Sequence, residues 1–170
     1  MRVGLGVDAH AFDAGVPLVL AGVEFPGHAG LAGHSDGDVV THALIDALLG
    51  GANLGDIGTL FPSDKEEFEG ISSLLLLRRA YEGVRDAGFE LVNADCVLIG
   101  ERPRVAERRA EMTARLAEVL GVGPERISVR ATTTDRLGFT GRGEGLAAQA
   151  VALLRERDEA AANLDESVSA

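Results

Sequence analysis

The sequence has 170 residues, of which 46% are apolar, and its 27 acidic side chains against 16 basic ones give a formal net charge of −11. This length is enough for one domain with a sizeable hydrophobic core. The charge argues against nucleic acid or anionic membrane surfaces as partners, since both are negative themselves. A polyanionic small molecule would need local partners such as metal ions, backbone N–H groups or single arginines.

Cys96 is the single cysteine, so no disulfide can form within the chain. Its apolar neighbours Val97, Leu98 and Ile99 predict a buried side chain rather than a nucleophile. The first residues already alternate like a strand and show no basic, apolar or Arg/Ser-rich leader pattern. We therefore expect a cytoplasmic protein.

In chain order, the hydrophobic pattern first predicts strands over residues 2–10 and 17–25, and then a helix from Asp36 to about Asn53 with Ser35 as its N-cap. The later predicted elements are a helix over 70–88, a strand over 89–100, a helix over 103–120, a strand over 127–134 and a helix over 144–157. Residues 158–170 are acidic and rich in Ala and Ser, which predicts a disordered tail. The pattern as a whole predicts one α/β (α+β) domain over residues 1–157, with helices covering a mixed sheet of about four strands.

Two segments carry possible metal ligands at spacings that put their side chains on the same side of a strand or a helix. Asp8 and His10 point to the same side of the first strand because side chains alternate along it. His42 and Asp46 are neighbours on the first helix, where Asp46 could orient the imidazole of His42. Each residue taken alone has a simpler structural explanation. Together Asp8, His10 and His42 make a three-ligand set with one position open, which is typical of catalytic zinc sites.

The motifs later in the chain, taken alone, indicate less about function. Thr132, Thr133 and Thr134 end a predicted strand, where β-branched residues are common for structural reasons. The glycine-rich segment 138–145 lacks the Lys-Ser/Thr ending of a phosphate-binding loop and the spacing of a dinucleotide fingerprint. Its simplest explanation is a turn that needs positive φ values.

Four motifs, covering residues 1 to about 155, make the sequence resemble the 2-C-methyl-D-erythritol 2,4-cyclodiphosphate synthases of the non-mevalonate isoprenoid pathway. The motifs are Gly6-Val7-Asp8-Ala9-His10, then His34-Ser35-Asp36-Gly37-Asp38 with His42 and Asp46, then Gly55-Asp56-Ile57-Gly58 with Phe61-Pro62, and finally Ala131-Thr132-Thr133-Thr134 with Gly138-Phe139-Thr140-Gly141-Arg142-Gly143-Glu144-Gly145. The resemblance implies a homotrimeric lyase that carries one zinc ion per chain on Asp8, His10 and His42. It also implies a second divalent cation, Mg²⁺ or Mn²⁺, on Asp135.

The implied substrate is 4-diphosphocytidyl-2-C-methyl-D-erythritol 2-phosphate, whose 2-phosphate attacks the β-phosphorus and expels CMP. His34 and Thr133 are the implied stabilisers of the transition state. The resemblance places the cytosine at Gly100–Ala106, and an axial cavity of the trimer, able to hold an isoprenoid diphosphate, at Phe139 and Arg142. The implied substrate contacts are Asp8, His10, His34, Ser35, Asp56, Ile57, Gly58, Phe61, Pro62, Ser63, Asp64, Lys65, Gly100, Glu101, Arg102, Pro103, Arg104, Val105, Ala106, Thr132, Thr133, Thr134, Asp135, Phe139 and Arg142.

The sequence departs from the family pattern at Ser63-Asp64-Lys65, at Arg104-Val105-Ala106, and at Asp135, where the family most often has Glu. Two other functions are compatible with the same metal ligands. One is a zinc-dependent phosphohydrolase that activates water. The other is a non-catalytic protein that binds isoprenoid diphosphates.

Overall fold

The computed structural model describes residues 1–62 and 64–157. Its strands are β1 (Arg2–Asp13), β2 (Val19–Leu20), β3 (Val23–Glu24), β4 (Gly30–Leu31), β5 (Phe89–Ile99), β6 (Ile127–Thr132) and β7 (Gly145–Glu156), and its α-helices are α1 (Val39–Ala52), α2 (Ile57–Leu60), α3 (Ser73–Asp86), α4 (Arg109–Leu120) and α5 (Gly138–Gly141). The predicted tail over residues 158–170 lies outside the described residues.

A mixed five-stranded sheet in the order β4-β1-β7-β5-β6 forms the centre of the fold, and β2 and β3 form a separate hairpin. Strands β5 and β6 run parallel, whereas β1 and β5 each pair antiparallel with β7. The mixed α/β domain predicted from the sequence is confirmed, with one strand more in the main sheet than expected.

The largest error of the sequence prediction concerns residues 144–157, which form the central strand β7 and not a helix. Alanine is the strongest helix former, so composition favoured a helix. The burial of Leu146, Ala148, Ala150, Ala152 and Leu154, however, follows the period of a strand. Pairing on both sides outweighs the intrinsic preference of the segment.

Element boundaries differ in smaller ways. The predicted strand over 17–25 is the short β2–β3 hairpin, because Ala21 and Gly22 adopt positive φ values of 50° and 71°. The helix predicted from Pro103 begins only at Arg109, after a 3₁₀ turn over Ala106–Arg108. The N-cap of α1 is Asp38, whose carboxylate accepts a hydrogen bond from the N–H of Thr41. Ser35 is therefore not the cap.

The helix α1 lies almost directly on β1. A Cβ built on Gly4 would stand 1.8 Å from the carbonyl oxygen of Ala47, and one on Gly6 would stand 1.9 Å from that of Ala43. Only glycine permits this approach. It brings the side chains of Asp8 and His10, further along the same face of β1, to the start of α1.

The opposite face of the sheet is uncovered in the single chain. Val3, Leu5 and Val7 on β1 are 69%, 65% and 54% exposed, and Val151 on β7 is 43% exposed. These residues form one apolar surface, which we call the open sheet face. Among the described residues, none of the helices is long and apolar enough to cross a membrane. The cytoplasmic location stays a prediction.

Candidate active site and metal centre

A cavity of about 390 Å³ opens between the end of β1, the start of α1 and the segment around α2. It contains ten of the residues named from the sequence together with two apolar side chains that the sequence did not single out. The lining residues are Asp8, His10, His34, Ser35, His42, Ile57, Gly58, Phe61, Pro62, Asp64, Phe68 and Leu76.

Three ligand atoms converge on one point of this cavity. The Oδ2 atom of Asp8 lies 2.8 Å from Nε2 of His10 and 3.0 Å from Nδ1 of His42. The two ring nitrogens lie 3.2 Å apart. The three residues thus meet the geometry of a metal-binding group, as the spacings in the sequence predicted.

Hydrogen bonding fixes the tautomer of His10. Its Nδ1 atom faces the carbonyl oxygen of Ala32, which only accepts, so Nδ1 carries the proton and donates. The lone pair of Nε2 therefore points at Asp8 and His42. Such an outer hydrogen bond is the usual means of orienting a metal-binding histidine.

The charges at this point also favour a bound cation. Burial would raise the pKa of Asp8, but when His10 and His42 are protonated their hydrogen bonds and positive charge outweigh burial and hold that pKa well below its usual range. The hydrogen bond with Asp8 raises the pKa of His10. Because the lone pairs face one another, a proton or a metal ion relieves their repulsion. Two imidazole nitrogens and one carboxylate oxygen are a ligand set suited to zinc, with a fourth position open.

His42 is held by partners that the sequence analysis did not foresee. Its Nε2 atom lies 2.9 Å from the hydroxyl oxygens of both Ser35 and Ser73. Ser73 is fully buried at the start of α3. The only local signal for Ser73 was its place at the beginning of a predicted helix, which does not distinguish it from a simple helix start.

The proposed contact between Asp46 and His42 is wrong. The carboxylate of Asp46 instead accepts a hydrogen bond of 2.8 Å from the N–H of Ile57. Burial raises the pKa of Asp46. Asp56, which directly precedes Ile57, caps α2 by accepting a 2.7 Å hydrogen bond from the N–H of Thr59, and hydrogen bonds from the side chain and the backbone of Thr59 lower the pKa of Asp56. Asp46 therefore anchors α2, which carries Ile57 and Gly58 into the cavity.

The loop after α2 is partly described. The Nε2 atom of His34 lies 3.3 Å from the carbonyl oxygen of Lys65, which joins the two segments at the cavity rim. Lys65 itself pairs weakly with Glu67 at 4.0 Å. Ser63, named from the sequence as a substrate contact, lies outside the described residues.

The remaining predicted substrate contacts form a second group, at the ends of β5 and β6. Strand β6 is separated from β1 by β7 and β5. With strands about 4.8 Å apart, three such steps place Thr132 roughly 14 Å from His10. One chain therefore does not bring the two groups into a single cavity. The second group consists of Gly100, Glu101, Arg102, Pro103, Arg104, Val105, Ala106, Thr132, Thr133, Thr134 and Asp135.

Two hydrogen bonds connect the segment Gly100–Ala106 with the end of β6 and the turn after it, and the first runs from the N–H of Gly100 to the carbonyl oxygen of Thr132 over 3.0 Å. Asp135 and Arg136 both have left-handed backbones, with φ of 51° and 66°. The side chain of Glu101 accepts a 3.1 Å hydrogen bond from the N–H of Arg136. Glu101 thus braces the strained turn that presents Asp135. Val105, by contrast, is only 2% exposed and packs in the core.

Beyond that turn, Phe139 is 42% exposed. Arg142 forms a 2.8 Å ion pair with Glu144 at the surface. Neither residue lines the metal cavity.

A family model described as the YgbB family matches residues 1–155. The chain belongs to this family. It is 53% identical over 161 residues to the 2-C-methyl-D-erythritol 2,4-cyclodiphosphate synthase of Moorella thermoacetica, which covers 95% of this chain and 99% of that protein. It is also 54% identical over 155 residues to the bifunctional enzyme IspD/IspF of Campylobacter curvus, but there the chain spans only 42% of the relative's length.

A solved structure of a family member supports the same assignment. A 2C-methyl-D-erythritol-2,4-cyclodiphosphate synthase in a form bound to CDP aligns with a TM-score of 0.83 at 36% identity, covering 91% of this chain and all of that one. The resemblance noted from the four sequence motifs is confirmed. Family membership extends over the metal cavity and the second group alike.

Proposed function

We propose that this chain converts 4-diphosphocytidyl-2-C-methyl-D-erythritol 2-phosphate into 2-C-methyl-D-erythritol 2,4-cyclodiphosphate and CMP. The observation that carries the proposal is the convergence of Asp8, His10 and His42 on one point of an open cavity, in a chain that belongs to the YgbB family. Relatives of near-identical length are named as this synthase. The reaction needs no protein nucleophile, because the attacking oxygen belongs to the substrate.

We propose zinc as the ion on Asp8, His10 and His42, at one per chain. When bound, zinc would supply positive charge that polarises a phosphate oxygen. Metal analysis of purified His42→Ala is expected to show that zinc is lost while circular dichroism is unchanged. Exposed His28 lies outside the metal cavity, so His28→Ala is the matched control and should retain zinc. Full zinc occupancy in His42→Ala would contradict the ligand assignment.

The residues around the ion would hold the methylerythritol end of the substrate. His34 and Ser35 line the same cavity as the metal ligands, and α2 closes its side with Ile57 and Gly58. These groups would keep the 2-phosphate close to the β-phosphorus. Fixing two reacting groups in near-attack geometry lowers the activation barrier by up to roughly 7–11 kcal/mol in favourable intramolecular cases. Asp56, Phe61, Pro62, Ser63, Asp64 and Lys65 are proposed to complete this end.

The second group of residues would bind the cytidine and the diphosphate. A relative binds CDP, and main-chain groups of the segment Gly100–Ala106 are suited to reading the edge of a base. Thr133 would donate its hydroxyl to the diphosphate, and Asp135 would hold the second divalent cation. Oxygen ligands of this kind are preferred by Mg²⁺ and Mn²⁺.

We further propose a homotrimer whose active sites lie between neighbouring copies. The two residue groups are separated by two intervening strands in one chain, so a complete site needs the second group of another copy. The open sheet face offers an apolar surface for that contact. In the trimer, Phe139 and Arg142 would line an axial cavity that can take an isoprenoid diphosphate.

Light scattering tests the assembly. The wild type should return about three times the mass of one chain, and Leu5→Lys combined with Val151→Lys should dissociate it and abolish activity. Leu75→Lys, which changes an apolar side chain of α3 that is 39% exposed, is the matched control and should remain trimeric. A fully active monomer would contradict the shared site.

Product analysis distinguishes the three candidate activities. Incubation with the substrate and Mg²⁺ is expected to give CMP together with a cyclic diphosphate, identified by mass spectrometry and ³¹P NMR. A phosphohydrolase would give a linear phosphate, and a non-catalytic binding protein would leave the substrate unchanged. Either result would overturn the proposal.

A further inference from the structure

In the proposed metal site His42 would bind the ion through Nδ1, which faces Asp8 and His10, so its ability to act as a ligand depends on which ring nitrogen carries the proton. If the proton sits on Nδ1, the lone pair points away from Asp8 and His10 and the ligand is lost. His10 is fixed by a carbonyl group. His42 faces two hydroxyl groups, and a hydroxyl can either donate or accept. Its tautomer must therefore be set by what those hydroxyls contact next.

Asp36 sets the direction of this hydrogen-bond chain. One of its carboxylate oxygens accepts a 3.2 Å hydrogen bond from the N–H of Asp38, and the other accepts a 2.9 Å hydrogen bond from the N–H of Ser73. Backbone N–H groups only donate, so both oxygens of Asp36 are held as acceptors. The hydroxyl of Ser73, which also contacts Asp36, must then give its proton to that carboxylate.

Once Ser73 donates to Asp36, its oxygen can only accept from His42. The ring nitrogen Nε2, at 2.9 Å, is then the donor and carries the proton. The Nδ1 lone pair is left facing Oδ2 of Asp8 and Nε2 of His10. Ser73 is fully buried, so water does not compete for this bond.

We propose that Asp36 and Ser73 are positioning residues that hold His42 in the Nε2–H tautomer and so prepare it to bind the metal ion. The inference rests on the proposed role of His42 as a metal ligand. It assigns no contact with substrate to either residue. Since α3 begins at Ser73, the start of that helix is tied directly to the metal centre.

The tautomer can be read without metal or substrate. In metal-free protein at alkaline pH, ¹⁵N-detected NMR of the histidine rings should show His42 protonated at Nε2. A wild-type His42 protonated at Nδ1 would overturn the proposal, whatever the variants do. Because this readout needs no zinc and no turnover, it also separates failure of the inference from failure of the proposed cyclase activity.

Variants then test the assigned partners. Ser73→Ala and Asp36→Asn should each produce a mixture of His42 tautomers and raise the dissociation constant for zinc by about 10- to 100-fold, as changes to outer partners of metal ligands do. Ser72→Ala is the matched control, because the exposed Ser72 side chain makes no capping hydrogen bond at the same helix start. Its zinc affinity should stay within about twofold. Unchanged tautomer and affinity in Ser73→Ala, with an unchanged circular dichroism spectrum, would contradict the assignment.

Discussion

Replacing Gly6 by alanine tests whether the contact between β1 and α1 determines the metal site. The added Cβ would lie 1.9 Å from the carbonyl oxygen of Ala43 and 2.6 Å from the N–H nitrogen of Ala47. Both are backbone atoms, so no side chain can rotate away to make room. The variant can fold only if the strand and the helix separate.

The required movement follows from these distances. Real Cβ atoms essentially never approach within 3.0 Å, so the gap must widen from 1.9 Å to at least 3.0 Å, a shift of about 1.1 Å. His42 precedes Ala43 in the chain and would move with the helix. The distances from Nδ1 of His42 to Oδ2 of Asp8, 3.0 Å, and to Nε2 of His10, 3.2 Å, would grow accordingly. Metal–ligand distances, by contrast, tolerate deviations of only about 0.2 Å.

Two measurements report the effect. Overpacking typically costs about 1–3 kcal/mol, and a backbone contact belongs at the upper end of that range. For a chain of this size each 1 kcal/mol shifts Tm by about 2–4 °C, so Gly6→Ala should lower Tm by about 6 °C or more. Its affinity for zinc should fall at least about tenfold.

Gly50→Ala is the matched control, since it lies in the same helix with no atom within 4 Å of its added Cβ. It should stabilise the protein by about 0.5–1 kcal/mol through improved helix propensity, with unchanged zinc affinity. If Gly6→Ala kept the Tm and zinc affinity of the wild type, the close contact would not be what positions His42.

Four further predictions concern other parts of the molecule. Burial raises the pKa of Cys96 to about 12, so a thiol reagent should label Cys96 at neutral pH only after unfolding. The stability that the neutral thiol contributes should be lost as the pH rises from 9.0 towards about 12. Cys96→Ala should remove this loss of stability at alkaline pH. Asp46→Ala should release α2, which would be seen as faster amide exchange at Ile57 and weaker substrate binding. Zinc affinity should stay within about twofold, because Asp46 contacts α2 and not His42. A tenfold fall in zinc affinity would show that Asp46 supports His42 after all. Zinc affinity should decline with falling pH from above the usual histidine pKa of about 6.5, because the pKa of His10 is raised by Asp8 and protons compete for the same lone pair; a flat titration through that range would contradict this. Asp135→Ala should keep zinc but lose most cyclase activity, whereas Asp135→Glu should stay active with an equal or lower Mg²⁺ requirement; an unchanged Mg²⁺ dependence in Asp135→Ala would remove Asp135 from the second cation site.

The cluster of Asp8, His10 and His42 could be predicted from the sequence because local geometry already groups its members. Asp8 and His10 share one face of a strand by simple alternation, and His42 lies on a helix with clear periodicity. What the sequence did not contain was the partner of His42. Ser73 lies 31 residues further along the chain, and no local period links the two.

The central strand β7 was missed for a different reason. Its alanines are strong helix formers, and their small side chains matter only because α1 packs closely on the sheet at this point. The separation of the two residue groups could not be predicted either. It depends on the strand order β4-β1-β7-β5-β6, which no local pattern encodes.

The pairing of β1 with β7 joins the beginning of the domain to its end. Ten residues of β1, from Arg2 to Ala11, pair with ten residues of β7, from Gly145 to Leu154. During synthesis the edge of β1 that pairs with β7 therefore stays unpaired until nearly the whole domain has left the ribosome. Contacts between residues so far apart in the chain make folding slow. Asp8 and His10 are thus among the first residues made but among the last to be fixed in place. A newly made chain cannot bring Asp8 and His10 into their native places beside His42 before strand β7 has been added.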